Sequence, residues 1–192
     1  MRAESSAARY PRDVAHVTHE QVERLLERTL LADDHEDLAR RLETLAEAYV
    51  SGDISRAAIL VLAAEEWRQS GQPAHALDCF QRAVDDGGEV SVDPRAGIAD
   101  TLFELEQPDD GRQVIEAIRA DGGVAPATAL TLAETLVAYG DLREAHYWAT
   151  EGAQGAVKGG GEHTALLRTR YRIRVDLGLP EDELDAQLDA SY

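Results

Sequence analysis

The sequence predicts an all-α fold on three observations. Aromatic residues make up only 5% of the 192-residue chain, while the strong helix formers Ala, Leu, Glu and Arg abound. Apolar residues recur three and four positions apart in one segment after another. Period-two alternation is all but absent. The exception runs from Arg168 to Val175 as Arg-Thr-Arg-Tyr-Arg-Ile-Arg-Val. A lone strand has nothing to pair with, so a helix is expected there too.

Residues 1–15 carry Ser5-Ser6, Pro11 and scattered arginines without periodicity, and read as a flexible N-terminal tail. Thr18-His19-Glu20-Gln21 has the form of a capping box, in which hydroxyl and amide satisfy each other's orphan backbone donors. Val22, Leu25, Leu26 and Leu30 follow at helical spacing. Asp33 and Asp34 start a second helix with Leu38, Leu42, Leu45 and Tyr49 on one face, and Ser51-Gly52-Asp53 breaks it. Ile54, Ala57, Val61, Ala64 and Trp67 form a third stripe that ends at Gly71. Pro73 opens a fourth, carrying Ala76, Phe80 and Ala83 and closed by Gly87-Gly88. Six more are predicted at about 94–106, 108–121, 125–139, 141–156, 163–177 and 180–189. Pro94, Gln107-Pro108, Gly122-Gly123, Gly140-Asp141, Lys158–Gly161 and Gly178–Pro180 punctuate them. Short turns throughout imply antiparallel neighbours.

Self-similarity separates a closed bundle from a stack of repeats. Trp67-x3-Gly71-Gln72-Pro73-x2-Ala76-x3-Phe80-x2-Ala83 matches Leu102-x4-Gln107-Pro108-x2-Gly111-x3-Ile115-x2-Ile118. Both match Leu136-x3-Gly140-Asp141-x3-Ala145-x3-Ala149-x2-Gly152. The small residue early in each second helix falls at 76, 111 and 145, at spacings of 35 and 34. This pattern resembles the tetratricopeptide repeat (TPR), a helix–turn–helix unit of about 34 residues. The resemblance implies a right-handed α-solenoid of antiparallel helix pairs, a single domain over 16–192 with its best-matching repeats at 57–157. Small residues would let crossing helices approach while Trp67, Phe80, Leu102, Ile115 and Leu136 fill the space around them. There are departures. The proline that commonly closes the repeat is missing after 83–88, Gly111 and Gly152 are poor helix residues, and Leu38 and Glu183 sit 38 residues from their neighbours. A competing register, Ala48-Tyr49-x2-Gly52-Asp53-x3-Ala57, lies only 19 residues before Gly71.

Charge narrows the function. With 37 acidic residues against 19 basic, the net charge is −18, the wrong sign for a nucleic-acid phosphate backbone or an anionic membrane surface. No apolar run approaches a membrane span, and no cleavable leader is read at the start. The single cysteine, Cys79, excludes an internal disulfide framework and any multi-thiolate metal site, and the expected compartment is a reducing cytoplasm. Arg over Lys, with much Ala, Gly and Asp, points to a high-GC bacterial genome.

Each candidate for chemistry meets a simpler explanation. His16-x2-His19-Glu20 offers metal-ligand types, but Thr18 as the cap leaves His16 outside the helix. Asp33-Asp34-His35-Glu36-Asp37 complements a helix dipole. Lys158-Gly159-Gly160-Gly161 lacks the order of a phosphate loop, and Cys79 reads as a small buried hydrophobe. No catalytic motif stands out, so no enzyme, cofactor or metal is expected. The resemblance implies that first helices line a concave groove for a peptide. The groove positions would be Glu65, Arg68, Asp100, Glu104, Glu134, Arg168 and Arg172, acidic in the middle and basic at the C-terminal end. Arg170 and Arg174 fall on the opposite face of their helix. The Lys/Asn set that grips a C-terminal carboxylate in chaperone-binding members is absent, Lys158 being the only lysine. The expectation is a protein-binding adaptor for a basic or mixed-charge segment. Its alternatives are a homo-oligomerising or structural component of a larger assembly, and an acidic decoy for a cationic site on another protein.

Overall fold

Among the described residues, four turns of one design recur. In each, the second residue after a helix takes the left-handed conformation and two hydrogen bonds close the turn, a Schellman motif. Gln72 N donates to Trp67 O (2.9 Å) and Gly71 N to Arg68 O (2.8 Å). The same pair recurs as Gln107 to Leu102 with Glu106 to Phe103, as Asp141 to Leu136 with Gly140 to Val137, and as Leu179 to Arg174 with Gly178 to Val175. Gly71, Gly140 and Gly178 have φ of 74°, 80° and 65°; in the second turn a non-glycine, Glu106, is held at 60°. The turn acceptors Trp67, Leu102 and Leu136 are the residues aligned by the sequence repeat, and Arg174 adds the longer C-terminal step.

The computed structural model describes residues 15–32 and 34–189. Around the turns lie His19–Ala32 (α1), His35–Ala48 (α2), Arg56–Gln69 (α3), Pro73–Asp86 (α4) and Pro94–Glu104 (α5). Pro108–Asp121 (α6), Pro126–Ala138 (α7), Leu142–Gly155 (α8), Gly161–Asp176 (α9) and Asp185–Asp189 (α10) follow. Proline opens α4, α5, α6 and α7, where its missing N–H costs nothing. Side chains of Asp34, Ser55, Asp93 and Asp141 cap α2, α3, α5 and α8. The alternating Arg168–Val175 stretch lies inside α9, so arginines of the two phases take opposite faces of a helix. The last helix is shorter than predicted. Residues 181–184 form a turn in which Asp182 accepts from Leu184 N at 3.0 Å, and only 185–189 are helical.

Helices pack on their sequence neighbours from α2 to α6 and from α7 to α9, and α3, α5, α7 and α9 also touch in succession. That is a stack of helix pairs, an α-solenoid. Its core is correspondingly strung out. One apolar cluster runs from Val17 to Leu102, a second joins Ala96 to Ile173, and a third at the C-terminal end recruits Leu184 and Leu188. The helix-breaking glycines have packing reasons. A Cβ on Gly111 would meet the Phe103 ring at 3.1 Å, and one on Gly152 would meet Ala129 Cβ at 2.7 Å. Gly97 admits the Phe80 ring, which would lie 2.4 Å from an added Cβ.

The N-terminal end adds a feature that periodicity did not predict, a two-stranded parallel ladder between Ala15–Val17 (β1) and Tyr49–Gly52 (β2). The competing repeat register at residues 48–57 is thereby explained: its turn is this strand, between repeats. The capping box forms, with Thr18 N donating to Gln21 Oε1 and Gln21 N to Thr18 Oγ1, each at 3.3 Å. Of the tail, residues 1–14 lie outside the described residues, and Ala15 already belongs to β1.

A candidate partner-binding face

Helices α3, α5, α7 and α9 share one side of the stack, and on it the structure assembles four of the seven predicted residues. Arg68, near the end of α3, is the hub. Its Nη2 lies 2.6 Å from Asp100 Oδ2 on α5, its Nε 3.3 Å from Glu104 Oε2, and its Nη1 3.4 Å from Glu65 Oε2 one turn back. Three carboxylates around one guanidinium leave the cluster negative. Burial works against the charge on Arg68, but these carboxylates outweigh it and push its pKa above the usual arginine range. Burial is also the main influence on Glu65; with the like charges of Asp100 and Glu66 it overcomes Arg68 and raises the carboxyl above its ordinary value. Tyr139, at the end of α7, stacks on Phe103 at 4.8 Å, and burial, then Asp100 and Glu104, raise its phenol. Arg68 is thus a bridge between neighbouring first helices. Such a part cannot be read from its position on one helix.

Glu134 is exposed on α7, and Arg168 and Arg172 are exposed on α9. The other two arginines of α9 turn inward. Arg170 reaches Asp185 at 3.1 Å and also Asp182, while Arg174 Nε lies 2.9 Å from Asp185 and Nη1 donates to Leu179 O at 2.7 Å. These bonds clasp the C-terminal turn and α10 onto α9.

Sequence reasoning missed a second hub, which is half-buried. Glu43 of α2 accepts from Trp67 Nε1 at 2.9 Å and from Arg82 Nη1 at 2.5 Å, joining α2, α3 and α4. Burial raises its carboxyl, but bonds from Arg82, Trp67 and Cys79 together hold it below the ordinary value. The Cys79 thiol, buried beside this carboxylate, is pushed up to about 12. Among the described residues Glu43, Asp78 and Cys79 form a group whose ligand atoms lie within 4.8 Å of one another. Arg82 already donates to both carboxylates, and the thiol resists ionisation, so the group is built for an ion pair rather than a cation.

The other sequence candidates resolve locally. His16 sits in β1 with Nδ1 3.0 Å from Ser51 Oγ, and His19 N donates to Asp53 Oδ1 at 2.7 Å. Asp34 caps α2, and His35 Nδ1 meets Glu66 Oε2 at 2.7 Å. The glycines after Lys158 form a turn in which Gly160 N donates to Val157 O at 2.9 Å.

A cavity was not foreseen either. Space of about 330 Å³ opens between α1 and α3, lined by Val22, Leu26, Ala58, Leu62, Val90 and Val92, with Glu23 and His19 also on its wall. Ala58 and Leu62 lie on the same face of α3 as Glu65.

No protein-family model and no curated protein matches the chain. Among solved structures it is similar to the crystal structure of YrrB, a TPR protein with an unusual peptide-binding site. That similarity has 18% identity, covers 90% of this chain and 81% of that one, and has a TM-score of 0.44.

Proposed function

We propose that this chain, with residues 16–192 acting as one unit, is a non-catalytic interaction scaffold that receives a basic or mixed-charge protein segment on the face formed by α3, α5, α7 and α9. The observation that carries the reading is the Glu65–Arg68–Asp100–Glu104 cluster. It sets surplus carboxylates across two adjacent helices, with Glu134 displayed on a third. Such a field accelerates encounter with a cationic segment and selects against anionic ones, including nucleic acid. No helix among the described residues is long and apolar enough to cross a membrane. A soluble cytoplasmic partner fits the acidic chain and its one buried thiol.

The test is the triple variant Glu65→Gln, Glu104→Gln and Glu134→Gln. It keeps the Arg68–Asp100 pair and so does not strand a guanidinium. Fluorescence anisotropy with a labelled Lys/Arg-rich peptide should show affinity falling about tenfold at low salt, since each half-exposed pair contributes roughly 0.2–1 kcal/mol. The dependence of affinity on salt should flatten as well. An unchanged affinity refutes the assignment of this face.

A further inference from the structure

We infer that the cavity between α1 and α3 is an anchor site for one apolar side chain of an extended peptide, whose flanking basic residues meet the acidic surroundings. This rests on the reading above and extends it to the kind of sequence recognised.

Three observations converge. The cavity walls are aliphatic, and the volume of about 330 Å³ lies in the range of small ligand pockets. Segment Val90–Val92, on the wall opposite α1, is outside any helix or strand, and among the described residues its main chain makes no hydrogen bond. Its donors and acceptors therefore stand ready for an extended chain laid alongside, in the manner of strand addition. The rim is acidic. Glu23 lines this cavity, Asp53 and Glu89 line the hollow that continues from it past Ile54 and Ser91, and Glu65 stands one helical turn beyond Leu62. Among the described residues, His19 is the only basic group on these walls. A wholly apolar ligand would leave Glu23 and Glu89 unused, whereas an apolar residue between Lys or Arg residues uses both features. The aliphatic lining favours Leu, Ile or Val.

Two labelled decapeptides test this, identical in their Lys and Arg residues and differing only in a central Leu or Gln. The full chain should bind the Leu peptide at least tenfold more tightly. Ala58→Phe, which fills the cavity, and Val90→Gln, on a segment whose main chain makes no bonds, should each abolish that preference and leave the Gln peptide unaffected. Circular dichroism confirms that each variant is folded, and Val90→Gln serves alone if Ala58→Phe is not. N-methylation beside the Leu should weaken binding further. Equal binding of the two peptides overturns the anchor while leaving the charged face intact, and binding of neither overturns both. A Leu preference that survives the folded variants places the anchor elsewhere, and N-methylation without effect removes the extended pairing. If deleting residues 1–14 raises affinity for the Leu peptide tenfold, the chain's own segment is the occupant and the proposal falls.

Discussion

Adding a methyl group at Gly97 should destabilise the stack, although alanine is the better helix former. In the middle of α5, Gly→Ala contributes about 1 kcal/mol through helix propensity alone. Against this, the new Cβ would lie 2.4 Å from Phe80 Cε1 and Cζ and 2.8 Å from Cε2. Phe80 is 1% exposed, so its ring has no space to retreat into. Overpacking of this kind costs about 1–3 kcal/mol, and three such approaches put it at the upper end. The net expectation is a loss of about 2 kcal/mol, or roughly 4–8 °C in Tm for a chain of this size. Urea and thermal unfolding followed by circular dichroism measure it. The Phe80→Ala background supplies the control. That substitution costs about 3–5 kcal/mol by itself, but it removes the obstacle, so Gly97→Ala should there become stabilising by about 1 kcal/mol. A substitution that is neutral or favourable in the parent, or of the same sign in both backgrounds, refutes the close-approach account.

Further outcomes are expected at four positions. Glu43→Gln should destabilise by about 1–3 kcal/mol, because Arg82 is left with only the exposed Asp78 as ionic partner, and this shows as a lower urea midpoint. The Glu43 carboxyl is held below its unfolded value, so its stabilisation is complete at neutral pH and disappears as pH falls from the ordinary glutamate range through the folded pKa; the variant should show a correspondingly weaker acid dependence. With its thiol pushed up to about 12, Cys79 should resist a disulfide reagent at pH 8 and react at the rate of unfolding; immediate labelling would contradict its burial. Asp185→Ala should leave two buried arginines under-paired, at a local cost of about 3–5 kcal/mol, and hydrogen exchange should rise in 177–189 but not in α3–α8. Glu106→Gly should stabilise by about 1 kcal/mol, because the left-handed turn residue no longer carries a Cβ, and the thermal midpoint reports it.

The repeat was legible because its signals are local. A left-handed turn needs glycine or pays a strain of known size, proline suits a first helical turn, and a crossing point needs a small residue. Hence Gly71, Pro73 and Ala76 mark the same architecture as Gly140 and Ala145 do 69 residues later. Helix positions followed within a few residues, except at α10, where Asp182 and Asp185 turn towards Arg170 and Arg174 instead of extending a helix. The ladder of β1 with β2 was illegible: three and four residues carry no usable period, and the partners are about 35 residues apart. For the candidate face, helical periodicity assigned Glu65, Arg68, Asp100 and Glu104 to one side, and in the structure the four side chains meet. It presented Arg68 as one cation among several.

Element type, order and inward face follow from the chain alone, since propensity, capping and the 3.6-residue period act between residues near one another in sequence. Which charges neutralise each other, where a thiol is buried and where two helices fail to close depend on groups 24 to 39 residues apart, such as Glu43 with Trp67 and Arg82. Those pairings arise only when neighbouring repeats stack, because desolvation and ion-pair geometry are properties of the assembled interface.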